Sequence, residues 1–376
     1  MDATVTTTDI ATDTSEYEGW LARFGPLYTP DIKYKHIQMS NPKDPFPFFR
    51  GTYYRWVRLW STSSSELLDV PRILAVGDLH VENFGTWRDS DGRLCWGVND
   101  FDETDELPYT ADLVRLAASV RFARKGSRVR IKLGAACRAI LDGYRECLRA
   151  GGQPFVLEER HAHLRAMAMG ADRSPPRFWE KMTKLLADSP TDLPPAALTT
   201  ITRDLPAEGL DLAFRIRPRI GMGSLGKPRY VALAEWAGGW ICREAKLITP
   251  PATYWAAGAT TSSGSRMSEV VEHAVRSHDP FYRPGSAWVV RRLAPHCSRI
   301  ELDHLAGTDL ERILHAMGTE TANIHLGTAG TAGAILRDLD ARPEEWFKQA
   351  ARKMADELEC DWKKWRRANK EKSRGN

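Results

Sequence analysis

An apolar run that opens into a polar loop constrains this chain more than any other stretch. Ile73–Val76 predicts a short buried strand, and the loop after it contains Asp78 and Asn83. A second apolar run, Leu94–Val98, is followed in the same way by Asp100. We therefore expect buried strands whose ends carry an active loop.

The spacing within these two loops resembles that of a kinase active site. In kinases a catalytic aspartate is followed five residues later by an asparagine, and Asp78 and Asn83 occupy those places. Asp100-Phe101 stands where kinases keep a metal-binding Asp-Phe-Gly, with Asp102 in place of the glycine. The same loops resemble the catalytic and metal-binding loops of the aminoglycoside phosphotransferases.

A closer resemblance covers most of the chain. The bacterial family called domain of unknown function 2252, thought to belong to the protein-kinase-like superfamily, has marks that occur here in order. They are Phe48–Gly51, the two loops, Asp112–Ser119 and Gly221–Gly226. The resemblance implies an α+β fold of the protein-kinase-like, bilobal type and a nucleotide-dependent reaction. It implies no particular substrate.

Phosphoryl transfer explains why residues of these types would lie together. Moving a terminal phosphoryl group requires positioning and cancellation of negative charge more than covalent help from the protein. Asp78 is the candidate base, and Asn83 and Asp100 are the candidate ligands of magnesium, which prefers oxygen donors. Each residue alone is also an ordinary turn former. We expect ATP and magnesium as cofactors and transfer of phosphate to a hydroxyl of an unknown small-molecule or protein acceptor.

Composition and charge exclude a membrane protein and give little support to a nucleic-acid-binding one. The chain has 376 residues, 42% of them hydrophobic, and a formal net charge of +4. No apolar run approaches the roughly 18 residues that a membrane span needs. Six cysteines show no Cys-x-x-Cys pair, and no apolar signal segment precedes them. Reduced thiols and a cytoplasmic location are therefore expected.

Periodicity divides the chain into four parts. Residues 1–16 are polar and are expected to form a disordered leader. Helical periodicity predicts that residues 17–205 form a helical lobe with the catalytic and metal-binding loops, and that residues 296–376 return to it. Alternation within residues 206–295 predicts a small antiparallel-sheet lobe that binds the nucleotide.

An aromatic stripe and a neighbouring arginine precede the first loop. Phe49, Tyr53, Trp56 and Trp60 recur at helical spacing, which predicts a core-facing stripe. Arg50 follows the first of these rings. An arginine here could clamp a phosphate or take part in a surface ion pair, and the sequence leaves both open.

Asp112 precedes an apolar helical pattern that begins at Leu113. It is therefore a candidate N-cap. In kinase-like folds an acidic residue at this point instead fastens the backbone of the catalytic loop. Both interpretations give Asp112 a structural role.

A glycine-rich turn in the sheet lobe matches a loop that covers phosphates. Gly221, Gly223 and Gly226 have the spacing Gly-x-Gly-x-x-Gly, with Ser224 between them. The turn lies between two predicted strands, whereas a dinucleotide-binding fingerprint would lead into a helix. Without Asp78 a plain glycine-rich hairpin would be the better interpretation; with it we expect a kinase-type loop. Because kinases place this loop first, the lobes would be circularly permuted.

The cation that binds phosphate is expected on the third strand of this sheet. The resembled family implies Lys-Glu-Ala there, and this chain has Arg243-Glu244-Ala245. Lys246 would face the other side of a regular strand, so we expect Arg243 to bind phosphate and take part in catalysis. Glu272, on a following predicted helix, is the candidate partner of this cation, or a solvated charge.

Two other functions remain open. Arg243 in place of lysine and Asp102 in place of glycine also suit a nucleotide-binding pseudokinase with a regulatory role. The basic C-terminal segment around Trp362 and Trp365 also suits binding of nucleic acid or an acidic partner. Cations that complement a helix dipole explain that segment more simply.

Overall fold

The protein has a mixed α+β fold, in which helices from both ends of the chain flank a five-stranded antiparallel sheet from its middle. The computed structural model describes residues 8–126, 129–158, 160–169, 174–187, 193–203, 205–219, 221–259, 265–297, 299–300, 302–303, 305 and 307–372.

Helices occur before, between and after the strands along the described chain. They are α1 (Ile10–Leu21), α2 (Thr29–Met39), α3 (Phe46–Gly51), α4 (Tyr53–Ser61), α5 (Ser65–Leu68), α6 (Tyr109–Lys125), α7 (Leu133–Ala150), α8 (Ala162–Ala168), α9 (Pro175–Ala187), α10 (Pro195–Arg203), α11 (Ala252–Ala256), α12 (Met267–His273), α13 (Gly307–His325), α14 (Ala332–Ala341) and α15 (Trp346–Lys372).

The strands form three sheets. They are β1 (Arg72–Ala75), β2 (Phe84–Arg88), β3 (Leu94–Val98), β4 (Asp105–Pro108), β5 (Phe155–Val156), β6 (Ala213–Ile216), β7 (Arg229–Trp236), β8 (Gly239–Leu247), β9 (Arg283–Pro284) and β10 (Trp288–Arg292). Strands β1 and β4 pair, β2, β3 and β5 form a second sheet, and the largest sheet has the order β6-β7-β8-β10-β9. The predicted antiparallel sheet in the middle of the chain is therefore confirmed.

The predicted aromatic stripe is confirmed as part of the core. Phe49, Tyr53, Trp56 and Trp60 are all buried. The helix that carries them is interrupted at Thr52, whose non-helical backbone separates α3 from α4. The rings of Trp56 and Trp60 nevertheless stack, with centroids 5.9 Å apart.

The expectation of a disordered leader is wrong for residues 10–16, which belong to α1. Ile10 is buried, and the buried carboxylate of Asp13 forms an ion pair with Arg55 at 2.7 Å. The segment looked unable to fold because it is polar, but its polar groups find partners in the core. Residues 1–7 lie outside the described part of the chain.

The predicted division between residues 205 and 206 is also wrong, because α9 and α10 pack on the five-stranded sheet. Ala197 and Ile201 of α10 join Ala245 and Val290 on one face of the sheet. Met182 of α9 packs with apolar residues on the other face. Both helices precede the predicted boundary, yet they are partners of the sheet.

The two tryptophans that the sequence singled out in the C-terminal segment are buried in the protein. Trp362 and Trp365 of α15 are buried, and Trp365 Nε1 donates a hydrogen bond to Ser40 Oγ at 3.1 Å. These rings therefore belong to the core and not to a nucleic-acid-binding surface.

All six cysteines are free thiols. Within the described ranges, no helix has both the length and the apolar character that crossing a membrane requires.

Helices α7 and α13 cross so closely that two glycines leave no room for a side chain. A Cβ atom on Gly318 would lie 1.9 Å from the carbonyl oxygen of Ile140, and one on Gly143 would lie 2.1 Å from that of His315. Because backbone cannot move aside as a flexible side chain can, the two helices require glycine at both positions.

The close crossing of α7 and α13 predicts that replacing glycine with alanine has opposite effects on stability at two helical positions. Gly318→Ala should lower the free energy of unfolding by about 1–3 kcal/mol, because it overpacks a backbone contact. Gly19→Ala is the matched control, since nothing lies within 4 Å of a Cβ at that exposed site on α1. It should stabilise by about 0.5–1 kcal/mol through helix propensity. Denaturant unfolding measures both, and equal effects would contradict the close crossing.

Candidate active site

The two predicted loops and the glycine-rich turn meet around one small polar cavity. Its lining includes six residues that the sequence singled out: Asp78, Asn83, Asp100, Gly221, Gly223 and Ser224. A Cβ on Gly223 would lie 3.3 Å from Asp78 Oδ2 and 3.2 Å from the carbonyl oxygen of Arg50. The turn therefore lies close to the candidate base, although well over a hundred residues separate them in sequence.

Asp112 fastens the loop that carries Asp78. Its buried carboxylate accepts hydrogen bonds from the backbone N–H groups of Val76 at 2.8 Å and Gly77 at 2.9 Å. His325 Nε2 lies 3.1 Å from the same carboxylate. Helix α6 begins at Tyr109, so Asp112 lies in its first turn and the N-cap interpretation is wrong. The role that the family resemblance implied is the one observed.

Asp78 is held by a buried arginine. Arg115 donates from Nε and Nη2 to Asp78 Oδ1, at 3.1 and 2.6 Å, and Nη2 also donates to the carbonyl oxygen of Phe49. The guanidinium stacks on the Phe49 ring at 3.8 Å. Burial raises the pKa of Asp78 to about 6, although Arg115 opposes the rise. The carboxylate is therefore fixed in position and ionised above about pH 6.

Asn83 supports the loop with its side chain. Its Oδ1 accepts a hydrogen bond from the backbone N–H of His80 at 2.6 Å, and its own carbonyl oxygen accepts one from the N–H of Asn99. The second bond joins the two loops. An amide oxygen has two lone pairs, so one remains for another partner.

Asp100 and Asp102 share one lysine. Lys246 Nζ lies 3.1 Å from Asp100 Oδ1 and also forms an ion pair with Asp102. Burial opposes ionisation of Asp100, but attraction by Lys246, Arg291 and Arg229 outweighs it and holds the pKa of this carboxyl well below its usual range. The side chain of Asp100 is 42% exposed, whereas that of Lys246 is 8% exposed. The carboxylate of Asp100 thus faces the cleft, whereas the ammonium group of Lys246 that pairs with it is shielded from solvent.

The prediction that Arg243 supplies the site's cation is wrong. Arg243 lies on the opposite face of β8, where its guanidinium stacks on Phe281 at 4.5 Å and donates to the carbonyl oxygen of Cys242. Lys246, which we expected to face away, is the residue that reaches the candidate metal ligand. The alternation along the strand was as expected, but the face assigned to the site was not.

Glu272 also lies apart from the site. It is exposed on α12, and within the described residues it lines neither the small cavity nor the cleft beside it. The acidic partner of the sheet's cations is instead Glu244, which is fully buried. It pairs with Arg217 at 2.5 Å, Arg291 at 2.7 Å and Arg229 at 3.0 Å.

Conformational strain explains the glycines of the turn. Gly221 and Gly226 have φ values of +74° and +97°, which side chains with a Cβ rarely adopt. A Cβ on Gly226 would also lie 2.3 Å from Ile32 Cδ1. Ser224 Oγ accepts a hydrogen bond from Arg229 Nη2 at 2.8 Å, so the turn is tied to strand β7.

A larger cleft of about 780 Å³ adjoins the cavity. Among its described lining residues, ten are lysine or arginine and three are aspartate or glutamate. Arg50 lines both spaces, and its Nη1 donates to Glu82 Oε2 at 2.6 Å. Of its two predicted roles, the ion pair is observed, and the phosphate clamp stays a prediction. The excess of cations makes the cleft suited to an anionic ligand.

Two residues of the cavity, Lys227 and Glu103, were not anticipated from the sequence. Lys227 Nζ lies 3.9 Å from both Asp102 and Glu103, and Glu103 accepts a hydrogen bond from the backbone N–H of Ala252 at 2.7 Å. Burial raises the pKa of Glu103 to about 7. Lys227 directly follows the glycine turn, which was the available signal; nothing distinguishes Glu103 from other acidic residues of that segment.

The oxygen donors at this centre fit magnesium better than a softer metal. Asp100, Asp102 and Asn83 offer two carboxylates and an amide, and magnesium usually takes one or two carboxylates together with substrate phosphates and water. Among the described residues, no group of three or more His, Cys, Asp or Glu is arranged to hold a metal ion. A metal ion bound here would therefore take further oxygen ligands from a substrate or from water.

Fold and site define an α+β protein whose polar centre lies where strand-end loops meet a sheet rich in cations. Residues 30–192 and 165–368 match the family model described as "Uncharacterized protein conserved in bacteria (DUF2252)". The matches span most of the chain, so the protein belongs to this family, as the sequence motifs predicted. Comparisons with curated proteins and with solved structures give no match. The relationship to kinases stays a prediction.

The raised pKa of Glu103 predicts how stability depends on pH. Because the folded state keeps this carboxyl protonated up to about pH 7, and the unfolded state loses the proton near its ordinary value of 4.5, the folded state loses stability as pH rises between them. Glu103→Gln should therefore gain stability relative to wild type as pH increases from 4.5 to 7. Denaturant unfolding across that range, with the exposed Glu344→Gln as control, measures the difference. A difference that does not change with pH would contradict the assignment.

Proposed function

We propose that this protein is an ATP- and magnesium-dependent phosphotransferase that acts on a hydroxyl group of its acceptor. The observation that carries the proposal is the position of Lys246, which lies between Asp100 and Asp102 beside the cavity that also holds Asp78. A base, oxygen ligands and a lysine converge there under a glycine-rich turn. These are the parts that phosphoryl transfer requires.

The proposal gives the fold a kinase-like interpretation. The five-stranded sheet with its glycine turn would be the nucleotide lobe, the helical part would carry the catalytic and metal-binding loops, and the order of the two would be circularly permuted. Support comes from the proximity of Gly223 to Asp78, whose Oδ2 would lie 3.3 Å from a Cβ on the glycine. The cationic cleft between them suits triphosphate binding.

Asp78 would act on the acceptor. With a pKa of about 6, its carboxylate is ionised at neutral pH and is a suitable acceptor for a hydroxyl proton. The double hydrogen bond from Arg115 fixes its orientation, and the hydrogen bonds that the N–H groups of Val76 and Gly77 donate to Asp112 fix its loop. Rigid support of this kind is what positioning catalysis needs.

Asp100, with Asp102 and Asn83, would hold magnesium, which would neutralise charge on the phosphates when bound. Lys246 has two anionic partners, and an ammonium group that neutralises carboxylates can equally donate to phosphate oxygens. We infer that Lys246, and not Arg243, contacts the nucleotide phosphates.

The pseudokinase alternative has lost one of its two reasons. It depended on Arg243 in place of lysine and on Asp102 in place of glycine. Lys246 occupies the position beside Asp100, so the chain does not lack a lysine there. Asp102 remains a departure from the kinase pattern, and its pairing with the same lysine gives it a structural role.

Replacing the candidate base should separate turnover from nucleotide binding. Asp78→Asn keeps size and hydrogen-bonding capacity but removes the carboxylate, so turnover should fall at least about a hundredfold while nucleotide affinity stays within about threefold. In the wild type, kcat/KM should rise with pH through about 6, as Asp78 loses its proton. Consumption of ATP in the presence of candidate acceptors measures both. An undiminished rate in Asp78→Asn would show that the base is misassigned.

A pair of variants on one strand tests which cation serves the site. Lys246→Met keeps the length of the side chain and removes its charge, so turnover and affinity for magnesium–ATP should both fall at least about tenfold. Arg243→Lys is the matched control for nucleotide binding, because Arg243 lies on the other face of β8; it should leave affinity for magnesium–ATP within about twofold. Loss of activity in Arg243→Lys with retention in Lys246→Met would restore the sequence-based assignment.

A further inference from the structure

Arg276 is a half-buried cation at the edge of the cleft. Its guanidinium stacks on the rings of Trp87 at 4.3 Å and Phe101 at 5.1 Å. Its Nη1 is buried and has no hydrogen-bond partner, and among the described residues the side chain forms no ion pair. A buried guanidinium nitrogen that lacks a partner is unfavourable, so Nη1 is suited to an anionic group that enters the cleft.

Arg292 presents a second guanidinium to the same cleft. It stacks on Phe281 at 4.4 Å, and its Nη2 donates to the carbonyl oxygen of Arg88 at 3.1 Å. Its Nε is buried without a hydrogen-bond partner. Both arginines line the cleft, and both are held by aromatic faces that leave hydrogen-bond donors unused.

The carboxyl groups that act most strongly on Arg276 are those of Glu320 and Asp279, and both accept hydrogen bonds from other groups. Glu320 accepts hydrogen bonds from the backbone N–H of Val98 at 3.2 Å and from Asn323 Nδ2 at 3.1 Å, and burial raises its pKa to about 7. Asp279 accepts one from the backbone N–H of Phe281 at 2.9 Å. Among the described residues neither carboxyl group forms an ion pair with Arg276 or Arg292, although Asp279 attracts both arginines and Glu320 attracts Arg276 at longer range.

These arginines are distinct from the cations that serve the candidate metal site. The charges that act most strongly on Asp100 are Lys246, Arg291 and Arg229. Two of these, Arg229 and Arg291, are already anchored by Glu244 on the sheet. Arg276 and Arg292 instead lie on aromatic rings. Arg229 and Arg291 would serve the nucleotide of the proposed function, and Arg276 and Arg292 are a further pair of cations in the cleft.

We propose that Arg276 and Arg292 form a subsite for a phosphate-type oxyanion on a second ligand, so that the acceptor of the reaction is itself a phosphorylated small molecule. The chemistry is that of planar guanidinium groups, which bind tetrahedral oxyanions through paired N–H donors. Identifying the second ligand as the acceptor rests on the proposed function. The oxyanion subsite itself does not.

Inorganic phosphate tests the subsite directly. Isothermal titration in a phosphate-free buffer, with the wild type saturated by magnesium and a non-hydrolysable ATP analogue, should show one saturable phosphate site. Arg276→Met should weaken phosphate binding at least tenfold and leave analogue affinity within twofold. Arg337→Met, an exposed arginine on α14, is the matched control and should bind phosphate as the wild type does.

Two results would overturn the proposal: complete displacement of phosphate by the analogue, or undiminished phosphate binding in Arg276→Met. Arg276→Lys keeps a charge but loses the planar fork, and an intermediate loss is expected; it replaces the first variant if Arg276→Met does not fold. If the analogue itself does not bind, the proposed function fails. In that case phosphate binding is measured without the analogue. Weaker binding in the variants than in the wild type would still support the subsite, and unchanged binding would overturn it.

Discussion

The ammonium group of Lys246 lies between the carboxylates of Asp100 and Asp102, and this contact joins the five-stranded sheet to the loop that follows β3. The two groups come from parts of the chain nearly 150 residues apart, so the contact helps to fix how the sheet faces the helical part. Because the lysine is covered and Asp100 is partly exposed, a negative group is presented to the cleft. The candidate chemistry depends on this arrangement.

A second set of charges makes the arrangement possible. Glu244 is fully buried on the same face of the sheet and holds Arg217, Arg229 and Arg291. Removing one partner from a buried ion pair typically costs about 3–5 kcal/mol. One carboxylate among three guanidinium groups leaves a net positive surface towards the cleft. One face of the sheet is covered by α10, and the other carries both the apolar residues under α9 and the cations beside the site.

Local patterns predicted much of the fold. Apolar runs and alternation located β1, β3 and the strands of the large sheet, because a strand with one buried face must alternate. The prediction of disorder from polar composition was wrong for α1. The ion pair of Asp13 with Arg55 joins residues far apart in the sequence, and no local pattern shows it. The same limit explains why α9 and α10 were assigned to the wrong partner.

Sequence patterns predicted the candidate site residues that lie in loops and missed the one on a face of the sheet. Spacing alone selected Asp78, Asn83, Asp100 and the glycine turn, and the structure brings them to one cavity. Alternation separates Arg243 from Lys246 but does not say which face is turned towards the loops. That choice depends on the packing of α10, which the sequence does not reveal.

The most direct test of the account is the unfolding temperature of the wild-type protein during titration with ATP, with and without magnesium. A ligand that binds only the folded state raises this temperature in proportion to its occupancy. The account predicts a saturable rise that requires magnesium. No rise with any nucleotide, at concentrations well above those at which such sites saturate, would contradict the assignment of this cleft.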